Sequence, residues 1–395
     1  MCAACGEFGM TIGSVLFGEP GHVEVTRGLA ELKSGRPVLL AGEGEALLVL
    51  PVDNLDPMRL AAFAAFCASA PLKLIVTAPR ARALGIDAQA PVALPLPQSA
   101  DVEIVSALAT DTAVTHVPAA LPTGETAAAA LALIKLAQGL PAVLAAEIPI
   151  AAATRFEPPV VIVDARAVAR FRDDALSHLT IAGEARVPLR SGTSSRFIVF
   201  RDAVGETSVA VIVGDPDFSK PVLVRLHSAC LTGDVFGSRR CDCGDQLALA
   251  LANLEDAGGG VILYLPQEGR GVGLAGKMRA YELQDEGLDT VDANTTLGFN
   301  DDERDYRVAG RMLNMLGCSR VVLLTNNPSK LHGLAEAGID IAGRAPIETP
   351  INADNHRYLA AKAVRAGHRL DRVIASLREE ANAEALSMAP VSDGV

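Results

Sequence analysis

Short apolar runs bounded by Gly, Pro and charged residues recur along the chain, and between them lie stretches whose apolar positions repeat at helical spacing. In the first half the runs predict strands at Pro37–Leu40, Leu47–Pro51, Lys73–Thr77 and Val160–Val163. Ala-rich helices are predicted near Met58–Ala70 and Thr126–Gln138. The second half opens with β runs at Phe197–Phe200, Ser208–Val213 and Val222–Leu226. A helix over Asp245–Ala257 is stopped by three glycines, Gly258 to Gly260. A buried strand, Val261–Leu265, then leads into the loop Pro266 to Gly273 and a helix from Leu274 to Glu286. A last strand, Arg320–Thr325, meets the turn Asn326 to Lys330 and a further helix. The final twenty or so residues read as a frayed helix and a loose tail. Strands alternating with helices predict an α/β (α+β) chain.

Two domains are expected. Residues up to about 180 are rich in Ala, Val, Leu and Pro, whereas all four tyrosines (Tyr264, Tyr281, Tyr306, Tyr358) lie beyond that point. The polar stretch Arg190 to Arg196 is the candidate boundary marker. The division expected is 1–185, 186–372 and a tail, 373–395.

Composition narrows the function classes. The chain has 395 residues, half of them apolar, enough for two ordinary cores. A net charge of −12 spread over both halves argues against a general nucleic-acid binder. It leaves room for one anionic small molecule in a locally basic pocket. The first residues lack a signal peptide's basic start and apolar core, and no apolar run is long and clean enough to span a bilayer. Seven unevenly spaced cysteines do not make a disulfide framework. A cytoplasmic protein with reduced thiols is expected. Cys2 and Cys5 form a lone pair that cannot close a tetrahedral site, and Cys67 and Cys318 read as small buried hydrophobes.

The densest chemistry is Cys230-x10-Cys241-Asp242-Cys243. Three thiolates are soft ligands that suit Zn²⁺ and leave a fourth position for an activated water. The alternative is a closed structural site with His227 as fourth ligand. Gly244 eases the tight turn. In Gln267-Glu268-Gly269-Arg270-Gly271, glycines let backbone N–H groups approach a phosphate. Glu268 fits paired N–H donors such as a guanine edge, and Arg270 offers a fork for phosphate. By itself that loop is equally a packing turn. At Thr325 to Lys330, Asn327 caps a helix and Pro328 suits its first position. Lys330 then lies beside the positive end of the helix dipole and calls for an anion, or is simply solvated. Arg304 stands among four carboxylates (Asp301, Asp302, Glu303, Asp305), which read alone are helix caps. Tyr281, four residues after Lys277, shares its helix face.

Taken together these motifs resemble GTP cyclohydrolase II, the zinc enzyme of riboflavin synthesis. The resemblance runs from Pro221 to His368 through Arg225 to Asp234, Arg240 to Gly244, Gln267 to Arg270, Lys277 to Asp285, Leu297 to Phe299, Asp302 to Asp305, Leu324 to Lys330, and Asn352, Tyr358, Gly367 and His368. It implies one Zn²⁺ per subunit on Cys230, Cys241 and Cys243. It implies GTP contacts from Arg225, Leu226, His227, Ser228, Gln246, Glu268, Gly269, Arg270, Thr290, Thr325 and Lys330, with Mg²⁺ on the triphosphate. Asp302 matches the family's proton acceptor, Arg304 its proposed nucleophile, and Tyr281 a tyrosine that helps ring opening. The implied reaction opens the guanine imidazole ring at C8 and releases formate and pyrophosphate, in a homodimer that binds neither nucleic acid nor membrane. A guanidinium stays protonated in proteins and is then a poor nucleophile, so Arg304 is expected to clamp the α-phosphate instead. The chain departs from the family pattern at Ala229, often Glu, and at Gly271, commonly Asn.

The first half is similar to 3,4-dihydroxy-2-butanone-4-phosphate synthase over Gly28 to Leu40, Gly124 to Ala127, Leu140 to Ile148 and Val160 to Asp164. That activity needs a dense acidic loop for Mg²⁺ and a Gly-His-Thr-Glu run. Here the loop is Ala41-Gly-Glu-Gly-Glu-Ala46, and the run is Gly124-Glu-Thr-Ala127. The domain is therefore expected to be degenerate and silent. Two other readings are a bifunctional riboflavin enzyme and a non-catalytic GTP-binding zinc protein. A nucleobase deaminase is not expected, because a His-x-Glu followed by a Cys-x-x-Cys pair is absent.

Overall fold

The computed structural model describes residues 16, 18–68, 70–153, 157–365 and 367–388; Cys2, Cys5 and residues 389–395 lie outside them. The chain forms two compact units that do not follow sequence order. The first comprises the described residues up to His178 together with Val272–Glu286 and Asp292–Glu303. The second comprises Leu179–Gly271, Gly287–Val291 and the described residues from Arg304 onward.

The first unit is built on seven strands: β1 (Val38–Ala41), β2 (Ala46–Pro51), β3 (Lys73–Val76), β4 (Val92–Pro95), β5 (Leu121–Pro122), β6 (Ala142–Glu147) and β7 (Val161–Asp164). Their order is β5-β4-β3-β6-β2-β1-β7. A tight turn at Gly42 to Glu45 makes β1 antiparallel to β2, whereas β1 and β7 run parallel. The helices Pro20–Lys33, Glu125–Leu136 and Ala165–Ser177 pack Leu29, Leu133 and Phe171 against Leu40, Val49 and Val143 of the sheet. The alanines of Glu125–Leu136 bring its backbone close to the strands. The helix expected at Met58–Ala70 is shorter, Pro57–Phe66, with Asp56 accepting from the Arg59 N–H. It stops where Ala68 takes a φ of +55°.

The second unit carries β8 (Thr180–Pro188), β9 (Ser194–Arg201), β10 (Thr207–Gly214), β11 (Val222–Ser228), β12 (Gly259–Leu265), β13 (Arg320–Leu324) and β14 (Asp340–Ala345), in the order β14-β13-β11-β12-β10-β9-β8. The polar stretch Arg190 to Arg196, expected as a boundary marker, instead spans the turn and first residues of the β8–β9 hairpin. Its Leu189 and Thr193 bond across the turn. One half of the sheet is antiparallel, but β11, β12 and β13 run parallel. Their apolar faces fill two clusters, one with Leu226, Leu263 and Met312 and one with Val213, Leu254 and Ile262. Cys318 is fully enclosed in the first cluster, as a small hydrophobe should be, and burial pushes its thiol up to about 11. The stretch read as a frayed helix is helical over Asp371–Met388.

Parallelism positions the site. The carboxyl ends of β11, β12 and β13 lie on one edge, where open α/β sheets bind ligands. From those ends leave the Cys230 loop, the Gln267–Gly273 loop and the Thr325–Lys330 turn.

Candidate active site

Three buried or half-buried sulfurs gather beyond β11: the ligand atoms of Cys230, Cys241 and Cys243 lie within 4.8 Å of one another. Cys230 Sγ and Cys241 Sγ are 3.7 Å apart. Two thiolates on one tetrahedral zinc, each at ~2.3 Å, would be about 3.8 Å apart, so the spacing fits that ion. The sulfur neighbours Cys230 and Cys241, and then burial, hold the Cys243 thiol well above its ordinary range. Soft, crowded, proton-retaining thiols are the donor set that a divalent cation would relieve.

Two glycines permit the crowding. A Cβ on Gly233 would lie 2.9 Å from Cys241 Sγ and 3.1 Å from Cys230 Sγ. One on Gly244 would lie 2.4 Å from the Gly233 carbonyl oxygen. Gly244 is thus required by a close backbone approach; it is not among the positive-φ residues a tight turn would demand. Phe236 closes a short π-helical turn, Leu231–Val235, that carries the chain over the sulfurs.

His227, the alternative fourth ligand, is engaged elsewhere. Its Nε2 lies 3.0 Å from both oxygens of Asp234. Among the described residues no fourth Cys, His or carboxylate joins the cluster. Asp234 also accepts from the Tyr264 hydroxyl at 2.9 Å and from the Cys230 N–H at 3.0 Å. One buried carboxylate therefore ties β11, β12 and the first cysteine together. Sequence assigned no role to Asp234 or Tyr264, because each needs the other to have meaning.

The strand ends carry buried polar atoms without a protein partner. They are Arg225 Nε, His227 Nδ1, Ser228 Oγ and Gln267 Oε1. Buried polar atoms are almost always bonded, so a group of four here marks a place for a polar ligand. Arg225 is otherwise held: Nη1 donates to the Leu324 carbonyl at 3.1 Å and Nη2 to Gln246. The Gln246 amide in turn donates to Asp242, which also accepts from Lys362 Nζ at 2.7 Å. Leu226 offers its carbonyl to Lys330 Nζ at 2.7 Å, which partly settles that lysine beside its helix N-terminus. Asn327 does cap that helix, accepting from the Ser329 N–H. The Thr325 hydroxyl accepts from the Asn327 N–H.

The phosphate-type loop is strained. Gly269 and Arg270 take φ of 62° and 66°, left-handed values that cost a non-glycine residue of order 1–2 kcal/mol. Glu268 accepts from the Leu231 N–H at 2.6 Å and from the Gly269 N–H at 3.1 Å, joining this loop to the cysteine loop.

A cationic group surrounds His368. Burial first, then Lys362, Arg270, Arg304 and Lys330, hold its imidazole down to about 2. Its backbone donates to the Lys362 carbonyl, while the next N–H, of Arg369, donates to that of Asn326. Buried Tyr306 holds two of these cations over its ring, with Arg304 Cζ at 5.6 Å and Lys330 Nζ at 5.9 Å. Of the acids flanking Arg304, Asp305 caps the helix Arg307–Met315 through the Arg307 N–H and binds its guanidinium at 2.6 Å. Glu303 pairs with Lys135 at 2.5 Å in the first unit. Thr290 opens the helix Thr290–Thr296, just after Asp289, which pairs with Arg365 at 2.6 Å. Tyr281 and Asp302 belong to the first unit. Tyr281 lies on the helix Gly273–Asp285 with Lys277 Nζ 5.6 Å from its ring, as their spacing predicts.

Soft ligands at the strand ends that also carry cations and orphaned polar atoms are the parts of a metal-dependent hydrolase for an anionic substrate. The profile of the family described as GTP cyclohydrolase II matches residues 180–346. The chain is 40% identical over 357 residues to GTP cyclohydrolase-2 of Xylella fastidiosa (strain 9a5c), covering 90% of this chain and 89% of that protein. It is 39% identical over 362 residues to GTP cyclohydrolase-2 of Azospirillum brasilense, covering 87% and 93%. Over 163 residues it is 53% identical to the riboflavin biosynthesis protein RibBA of Bacillus mycoides (strain KBAB4), covering 41% of each. The chain belongs to the GTP cyclohydrolase II family.

Replacing Asp234 by Ala strands three donors and unpins Cys230. Metal affinity is expected to fall about 10–100-fold, the usual loss when a ligand's supporting bonds go. Competition with a chromophoric chelator measures it; affinity equal to the unmodified protein would refute the positioning role.

Proposed function

We propose that this chain is a zinc-dependent GTP cyclohydrolase II. It converts GTP to 2,5-diamino-6-(5-phospho-ribosylamino)pyrimidin-4(3H)-one, formate and pyrophosphate, the first step of riboflavin biosynthesis. The observation that carries this reading is the three-sulfur cluster at the same sheet edge as four orphaned polar atoms and a set of cations. Membership of the family supports it.

Cys230, Cys241 and Cys243 hold one Zn²⁺, which when bound supplies Lewis acidity for hydrolysis of the purine's five-membered ring. Arg225, Leu226, His227 and Ser228 line the approach from β11, and Gln246 orients Arg225. Glu268 receives the guanine N–H donors, while Gly269 opens its loop to the ligand. Arg270, Thr325 and Lys330 bind phosphate oxygens, with Thr290 and Mg²⁺ completing the triphosphate contacts. Asp302 takes a proton and Tyr281 donates a hydrogen bond during ring opening. Arg304, steadied over Tyr306, clamps the α-phosphate electrostatically, because a protonated guanidinium lacks the lone pair a nucleophile needs.

The functional division is 1–185 as a silent domain, 186–372 as the cyclohydrolase domain and 373–395 as a tail, in a cytoplasmic homodimer. Two observations support silence: Glu45 accepts from the Thr126 hydroxyl, and Glu43 is paired with Arg166, so both remaining acids of the first loop already have partners. Among the described residues no helix is long and apolar enough to cross a membrane.

Incubation with GTP, Zn²⁺ and Mg²⁺ is expected to release formate and pyrophosphate and to build a new pyrimidine absorbance. Intact nucleotide after long exposure of metal-loaded protein would sink the reading. Arg304→Ala should lower kcat by about 10²–10³-fold, as losing one preorganised charge donor does; a phosphoramidate trapped on Arg304 would replace the clamp with covalent catalysis. The same preparation should form no four-carbon product from ribulose 5-phosphate, and measurable product would make the enzyme bifunctional.

A further inference from the structure

The first unit grips a segment of chain that lies far from it in sequence. Arg80, 1% exposed, donates from Nη1 to the Thr296 carbonyl at 2.9 Å. Its Nε and Nη2 donate to the carbonyls of Leu108 and Ala107 at 2.8 and 2.7 Å. A buried guanidinium is costly unless its donors are used, and here the donors converge on three backbone carbonyls. The Thr77 hydroxyl donates to the Gly298 carbonyl at 2.6 Å. Gly298 has a φ of +85°, and a Cβ there would lie 3.0 Å from Thr77 Oγ1 and 3.2 Å from Pro141. On the helix Gly273–Asp285, Arg279 pairs with Asp53 at 2.6 Å, and Asp53 also accepts from the Leu140 N–H.

The last grip is nearest in sequence to Asp302. Lys135 Nζ lies 2.5 Å from Glu303 Oε1, with both side chains less than a fifth exposed. The same oxygen accepts from the Asn300 N–H at 2.8 Å and its Nδ2 at 3.0 Å, closing the loop that ends at Asp302. Glu303 immediately follows Asp302 and precedes Arg304.

We propose that the silent N-terminal fold is the positioning scaffold for the segment bearing Tyr281 and Asp302, and that Lys135, through Glu303, is a positioning residue for the cyclohydrolase reaction. The catalytic relevance rests on the roles assigned to Tyr281 and Asp302 above; the mechanical part does not. A misplacement of about 1 Å can cost up to ~10²-fold in rate, so an anchor one residue from a proton acceptor is enough to matter.

The test uses the full chain with Lys135→Met, Lys135→Arg, and the swap Lys135→Glu with Glu303→Lys. Hydrogen exchange should rise in residues 292–303 of Lys135→Met while the thermal melt stays cooperative and zinc content is unchanged. On GTP, kcat should fall about tenfold or more with KM within about threefold, and Lys135→Arg or the swap should recover most of it. Unchanged exchange in 292–303 would overturn the scaffold whatever the turnover. Losses in kcat that track zinc loss or a general drop in melting temperature, without recovery by Lys135→Arg, would reduce Lys135 to a stability residue. If the unmodified protein leaves GTP intact, the functional reading falls, and the exchange measurement still decides the scaffold.

Discussion

Three sulfurs forced together away from water are the constraint from which the rest of the site follows. Neutral thiols gain little from such crowding, and three thiolates would repel in a weakly screening interior. A soft cation would make the arrangement favourable, and the surrounding protein holds the sulfurs together without one. Gly233 and Gly244 supply the room, because side chains at either would collide with a sulfur or a carbonyl. Asp234 supplies the stiffness: its bonds to His227, Tyr264 and the Cys230 N–H fix the loop to two parallel strands. The same bond to His227 keeps that imidazole engaged away from the sulfurs.

Charge is arranged at two scales. The chain is acidic as a whole, at −12, yet Arg270, Arg304, Lys330 and Lys362 all act on His368. Local potentials in a low-dielectric cleft are set by near charges, so an anion is attracted there despite the net sign. His368 stays neutral among those cations and so adds no further positive charge while keeping a donor and an acceptor. Tyr306 gives Arg304 and Lys330 a common aromatic floor that places two charges side by side.

Much of this was legible in the chain before folding. Strands such as β3, β10 and β12 are β-branched apolar runs between turn residues, and their predicted bounds hold to within about two residues. β8 escaped notice because all its residues are exposed and no apolar alternation marks it. β6, an Ala-rich run at Ala142–Glu147, carries no β propensity of its own; pairing with β2 and β3 makes it a strand. The cysteines, the glycine loop and the Asn-Pro turn were visible because their chemistry is local. Asp234 with Tyr264, and Asp242 with Lys362, were not, since the partners stand 30 and 120 residues apart. The boundary at Arg190 to Arg196 failed for a related reason: a polar, glycine-containing stretch marks a hairpin turn as readily as a linker.

A loop with few acids does not take away a fold's reasons to stay folded. The core of the first unit is Val, Leu and Ala on a sheet and three helices, and none of it depends on the acids missing between Ala41 and Ala46. What does depend on that core is the geometry of Arg80. Removing its guanidinium would leave the carbonyls of Leu108 and Thr296 without that donor, and each unsatisfied group costs about 1–3 kcal/mol, whereas Ala107 keeps the Asp111 N–H. The stability of the N-terminal sheet and the placement of the segment before Asp302 are therefore coupled, with Arg80 one of several links. Such coupling gives the first unit a reason to persist in this chain that is independent of any chemistry of its own.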